Sequence, residues 1–379
     1  MPKIVMGVVL ARCPRGSAGH TCAVMNWAVG FRQLGWDVWI AEHIDGKEME
    51  PAPDGSEKSP QETFWEACCL EFGFEKNACL IVNGNAPNME AFREFAAGAD
   101  AFLNYSGQFK KMELLGARAK KIYLDVDPGF TQLWAGVCHS DMNFEGHDLF
   151  VTIGSNFGSE DLRLPATSQR WIPTLPVVAA GTWRQMAGLP RKEGNPEWTT
   201  VAHWYGYNNI HWNGWEYAGK RESFLSMIGV PDLAGTRVTV ATDLQREWGD
   251  YEEFESRGWK FLKSSDVCAD IPTYLRFLAS SRGELGIAKA GYITSRGGWI
   301  SDRSLVYLAL GRPVVLQETG WSGHVKPDGG LIPFSTPEEC ARAMSAVNSD
   351  HAGHSKAAQE LAGTVFSPEA VLGSLIAKF

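Results

Sequence analysis

The sequence has no CxxC pair, and none of its eight cysteines is spaced from a histidine as a zinc site requires. That excludes a zinc module and a thioredoxin-type redox motif, and it suggests reduced, buried thiols in a cytosolic protein. Positive charge is in deficit: 35 Lys and Arg stand against 44 Asp and Glu, a net charge of −9. No broad electrostatic footprint for nucleic acid or an anionic membrane follows from such a balance. No apolar run approaches the roughly 20 residues that span a bilayer. The opening MPKIVMGVVLARCPRG has a short apolar run without a cleavage pattern and reads as a first strand. No strand-linked GxGxxG followed by an acidic residue is present, which argues against a dinucleotide oxidoreductase. Internal repeats and low-complexity tracts are absent too.

What is present is an alternation of strand and helix. With 379 residues, two domains of about 190 residues each are expected. Strands are predicted over Lys3–Leu10, Asp37–Ala41, Ala78–Val82, Ala101–Tyr105, Lys121–Val126 and Leu149–Ile153. Helical spacing lies between them, as in Thr21–Leu34 and Asn88–Ala96. The pattern restarts with strands at Thr199–Ala202, Arg237–Ala241, Gly283–Ile287, Pro313–Gln317 and Leu331–Phe334. Helices are expected near Gly219–Ile228, Asp270–Ser280, Ser301–Leu310 and Thr336–Val347. Gly188, Pro190, Gly194 and Pro196 mark 182–198 as a linker. The expected fold is therefore α/β: two Rossmann-like domains with parallel sheets, 1–181 and 199–366, facing each other across a cleft. A terminal helix over 367–379 would pack back on the first domain.

The segment GGWISDRSLVYLALGRPVVLQETGW, Gly297–Trp321, carries polar clusters that packing does not explain. Gly297 and Gly298 allow backbone to approach a ligand, and Trp299 follows them. Ser301 suits an N-cap, so the N–H groups of the first helical turn would face the cleft. Such a terminus favours a diphosphate, with Asp302, Arg303 and Ser304 around it and Arg303 as a charged fork. Gln317, Glu318 and Thr319 follow a strand's carboxyl end, where sugar hydroxyls would be held.

These residues resemble the donor-binding segment of GT-B glycosyltransferases. Ser301-Asp302-Arg303-Ser304 falls where plant-type and antibiotic-type members show SNST before LEALAHGVPLV. Val306 replaces the glutamate of that LEA, so the resemblance is to the superfamily and not to that family. It implies a nucleotide-diphosphate sugar, UDP-type, on the second domain and an acceptor on the first. The first βα unit, RGSAGHTCAVMNWAVGFRQLGWDVWIAEH, is similar to GH…ALARAL…GHEV. Carried over, His20 after Gly19 becomes the general base of an inverting reaction. Asp125 and Asp127 are the candidates to orient it, with Asp127 placed among the catalytic residues and Asp125 on the acceptor side. Asp125-Val126-Asp127 also matches the metal-binding DxD of GT-A enzymes, but it stands far in sequence from the diphosphate helix. We read it as an acceptor-side or structural turn bent by Pro128-Gly129.

A third cluster, TVAHWYGYNNIHWNGWEYAGKRESF, is dense in aromatic and amide groups: Trp204, Tyr205, Tyr207, Asn208 and Asn209. The resemblance brings this loop to the donor, and Lys220 to a phosphate. The expectation is a cytosolic glycosyltransferase without metal or other cofactor. Its partners would be a nucleotide sugar and a small-molecule or glycan acceptor, with no nucleic acid and no membrane span. A retaining transferase or nucleotide-sugar epimerase on the same fold, and a binding protein without turnover, remain as alternatives.

Overall fold

The computed structural model describes residues 1–14, 17–53, 55–188 and 197–378. The first sheet contains β1 (Lys3–Gly7), β2 (Asp37–Ile44), β3 (Ala78–Val82), β4 (Ala101–Tyr105), β5 (Lys120–Asp125), β6 (Leu149–Thr152) and β7 (Trp171–Pro173). It is parallel throughout, in the order β3-β2-β1-β4-β5-β6-β7. The second half opens with β8 (Trp198–Ala202) and a small antiparallel hairpin, β9 (Ile210–Trp212) and β10 (Trp215–Tyr217). It continues with β11 (Val238–Thr242), β12 (Trp259–Lys263), β13 (Glu284–Gly286), β14 (Val314–Gln317) and β15 (Leu331–Phe334). Its parallel sheet runs β12-β11-β8-β13-β14-β15.

Each sheet therefore reverses its winding once, between β1 and β4 and between β8 and β13. Loops at a reversal diverge and leave a crevice at the strands' carboxyl ends. The strands are buried because their runs are apolar on both faces, as in Ile4, Val5 and Met6 of β1. One apolar cluster runs from β1 and the helix Ala18–Gln33 through Ile271–Ser280 to the helix Asp302–Ala309. The terminal helix Pro368–Ile376 packs on Ala18–Gln33, with Leu372 against Gly30.

The stretch 182–198 is not wholly irregular. Residues 182–187 belong to the helix Ala180–Ala187, and Trp198 already lies in β8. Trp183 explains the helix: it is fully buried and its Nε1–H donates to Asn26 Oδ1 at 2.7 Å. Residues 189–196, with Pro190, Gly194 and Pro196, lie outside the described residues. The thiols are all free, but Cys13 and Cys138 are exposed rather than buried. Among the described residues no helix is long and apolar enough to cross a membrane.

Candidate active site

A cavity of about 710 Å³ lies between the two sheets, walled by loops from both winding reversals. From the first half come Cys13, Gly19 and His20 after β1, Tyr105 at the end of β4, and Asp127 after β5. From the second half come His203 and Tyr207 after β8, Lys220, Lys289 after β13, Tyr292, Trp299 and Ser301–Arg303.

Lys220 begins the helix Lys220–Ser226 and is only 8% exposed. Burial, with Arg303 and Lys289 nearby, holds its pKa well below the usual lysine value. A charged ammonium is costly at such a position, and a neighbouring anion would lower that cost. The helix Asp302–Ala309 starts beside it. Ser301 occupies the N-cap position, but its side chain makes no capping hydrogen bond. The Ser301 side chain thus leaves the first turn uncapped.

Arg303 is differently placed. Its Nε donates to Glu284 and its Nη1 to the Val201 carbonyl, both at 2.6 Å. Its Nη2 is buried without a partner. Two of its three nitrogens therefore tie the helix to β13 and β8.

His20 lies in the first turn of Ala18–Gln33, its Nε2 2.5 Å from the Val9 carbonyl. A carbonyl only accepts, so Nε2 is the donor and Nδ1 is the acceptor of the neutral ring. Burial lowers the His20 pKa below the usual value. The imidazole is therefore neutral at pH 7 and able to accept a proton.

Asp127 joins the halves. It accepts from Lys289 Nζ at 3.1 Å, from Tyr207 Oη at 3.1 Å and from Tyr292 Oη. Burial opposes its charge, yet Lys289 and these hydroxyls hold its pKa below the usual carboxylate value. Lys289 also stands 3.6 Å from the Tyr207 ring centre, and Phe130 stacks edge-on against Tyr207 and Tyr292. Tyr292 lies flat on Trp299, with centroids 4.4 Å apart.

Solved structures share this architecture. An alpha-glucosyltransferase in complex with UDP-glucose and DNA containing an abasic site aligns over 99% of this chain and 98% of its own, with TM-score 0.60 and 12% identity. AviGT4, a glycosyltransferase involved in avilamycin A biosynthesis, gives 0.56 and 14% identity over 100% and 97% of the two chains. Anabaena HepE in complex with UDP-glucose gives 0.52 and 13% identity over the whole of both, 100% each. The chain has the GT-B fold. No family model matches the sequence, and no curated protein matches it.

Within this GT-B chain the residues singled out from sequence divide into two groups. Gly19, His20, Asp127, Tyr207, Lys220, Trp299, Ser301, Asp302 and Arg303 share the cavity. The rest are not among its lining residues. Asp125 is buried under the loop, where Thr131, Gln132, Thr152 and the Asp127 N–H all donate to it. That network makes it the anchor of the turn. Gly298 has φ of +76°, and a Cβ there would meet the Asn156 nitrogen at 2.5 Å. Its carbonyl accepts from Ser155, so the glycine serves a contact between halves. Ser304 is buried within the helix.

Trp204 is core: its indole N–H donates to Asp250 and its ring packs on Phe224 and Phe254. Tyr205 is exposed and stacks on Trp248. Gln317 Oε1 accepts from the Ala288 N–H, so it fixes the loop that carries Lys289. Thr319 donates to the Trp299 carbonyl and Glu318 accepts from the Gly320 N–H. All three shape backbone turns, which need internal partners when buried. Sequence reasoning also expected Asp127 to orient His20, but its oxygens face Lys289, Tyr292 and Tyr207, and the Val9 carbonyl orients the ring. Lys289 and Tyr292 were not foreseen, because nothing in GIAKAGYITS marks them locally.

Proposed function

We propose that this protein transfers a sugar from a nucleotide-diphosphate donor, of UDP type, to a hydroxyl acceptor with inversion at the anomeric carbon. The observation that carries the reading is Lys220, a buried amine with no ion-pair partner at the cavity between two GT-B halves. The bound UDP and UDP-glucose of HepE support a uridine diphosphate as its counter-ion here. In this reading Lys220, the N–H groups of the Asp302–Ala309 turn and Arg303 Nη2 hold the diphosphate. They also stabilise the charge that develops on it as it leaves. His20 Nδ1 removes the acceptor proton while the acceptor oxygen attacks from the opposite face. The positive groups already supply the charge compensation a divalent ion would give, so the reaction is metal-independent.

Thermal-shift and calorimetric titration with UDP, UDP-glucose and other nucleotide sugars tests donor binding. Donor hydrolysis without acceptor, and then the anomeric configuration of a transferred product, tests the reaction. Activity is expected to survive EDTA. Loss in EDTA with rescue by Mn²⁺ or Mg²⁺ would defeat metal independence, and a retained configuration would remove His20 as the base.

A further inference from the structure

One group in the cavity contradicts its surroundings. Asp302 is the first residue of its helix and lines the cavity where Lys220 and the uncapped helix start point to a diphosphate. An ionised carboxylate there would repel that ligand. Its Oδ1 is buried with no hydrogen-bond partner. The neighbouring cation does not neutralise it, because Arg303 is paired with Glu284. Asp127, another carboxylate of the cavity, already belongs to Lys289.

We propose that Asp302 takes up a proton when the donor binds and, as a neutral acid, donates a hydrogen bond to the departing diphosphate. This rests on the nucleotide-diphosphate reading above. Burial first, and the Asp127 charge second, have already pushed its pKa up to about 7 in the free protein. A diphosphate beside it pushes in the same direction. In the reaction, the acceptor oxygen bonds to the anomeric carbon and gives its proton to His20. The bond from that carbon to the phosphate oxygen breaks, and its electron pair stays on the oxygen. The Asp302 proton stays on the carboxyl, hydrogen-bonded to that oxygen, and returns to solvent when the nucleotide leaves.

Other ionisable groups face the same space. Tyr105, Tyr274 and Tyr292 are held protonated by burial, and the thiols of Cys13 and Cys268 are raised too. His20 titrates on the acid side, and Glu50 stands among the lining residues. Lys289 is bound to Asp127. Lys220, His20 and His203 are the rival sources of an uptake, since a bound anion favours the protonated form of each.

The test is calorimetric titration with UDP-glucose at pH 8, in two buffers of different ionisation enthalpy, with UDP as control. UDP-glucose has no phosphate group that titrates near neutrality. The wild type should take up close to one proton per ligand bound, and its affinity should fall up to about tenfold from pH 6 to pH 8, one pH unit past the carboxyl pKa. D302N should bind with almost no uptake and with the same affinity at both pH values, since the amide always donates. Persistent uptake in D302N assigns the proton to Lys220 or a cavity histidine and overturns the proposal. Absence of uptake in the wild type overturns it without any variant, even if D302N fails to fold. No heat with either UDP-glucose or UDP defeats the nucleotide reading itself.

Discussion

The two halves of the molecule present the same crevice but opposite chemistry. Around β1 and β4, the first half contributes an imidazole, a phenol and a carboxylate: His20, Tyr105 and Asp127. Around β8 and β13, the second contributes Lys220, Lys289 and Arg303. Both sheets are parallel and both wind outward from a reversal next to their first strand. The fold thus builds two equivalent edges, and loop sequence alone gives them different roles. An edge that holds a neutral base suits an incoming hydroxyl. An edge that holds buried cations suits a leaving anion.

The largest expected effect falls on the first edge. His20→Gln removes the proton acceptor and should lower turnover by roughly 10²–10⁴-fold, the usual contribution of a positioned base. UDP affinity, measured by calorimetry, should hardly move, because the groups assigned to the diphosphate belong to the other half. A parallel loss of UDP affinity would break the division of labour between the edges.

Next come two cations of the second edge, which should respond in opposite ways. Arg303→Ala leaves Glu284, fully buried and already lacking a partner on Oε2, without its ion pair. Removing one member of such a pair costs about 3–5 kcal/mol of stability. Lys220→Met replaces a buried amine that has no ion-pair partner with an apolar side chain of similar length. The free protein should therefore melt higher than wild type, while UDP binding weakens by about 10- to 150-fold, equivalent to about 1.5–3 kcal/mol for a hydrogen bond to a charged group. A lower melting temperature for Lys220→Met would mean that its ammonium is satisfied within the protein.

Sequence reasoning reached some of this and missed the rest for physical reasons. Strands written as short continuous apolar runs are legible wherever they lie in the sheet. Ala78–Val82, Ala101–Tyr105 and Leu331–Phe334 have the same bounds in sequence and structure. β7 and β12 were missed although the edges β3 and β15 were found: WIP is only three residues long, and WKFLK sets lysines among its apolar residues. The two cavity edges were legible where glycine, serine and arginine cluster at a helix start. Lys289 was not, because its meaning lies in an aspartate 162 residues away. Gln317 and Thr319 were assigned to a sugar because sequence cannot distinguish a ligand's hydrogen bond from a turn's. In the folded chain the turns claim both.

The smallest effect should fall on the seam between the edges. Tyr207 reaches across from the second half and donates to Asp127 at 3.1 Å. Tyr207→Phe deletes only that hydroxyl. The ring can keep its place over Lys289 and against Phe130 and Trp134, where the centroids are 4.7 and 4.9 Å away. Asp127 retains Lys289 and Tyr292, so its charge stays compensated. One lost hydrogen bond of this kind is worth about 1 kcal/mol. In a chain of this size that corresponds to a fall of roughly 2 °C in melting temperature. Turnover should stay within about threefold of wild type, since the hydroxyl points at a carboxylate already held by two other donors. A drop of more than tenfold in kcat with an unchanged melting temperature would place the Tyr207 hydroxyl on the reacting groups. Asp127 would then belong to the chemistry and not to the seam.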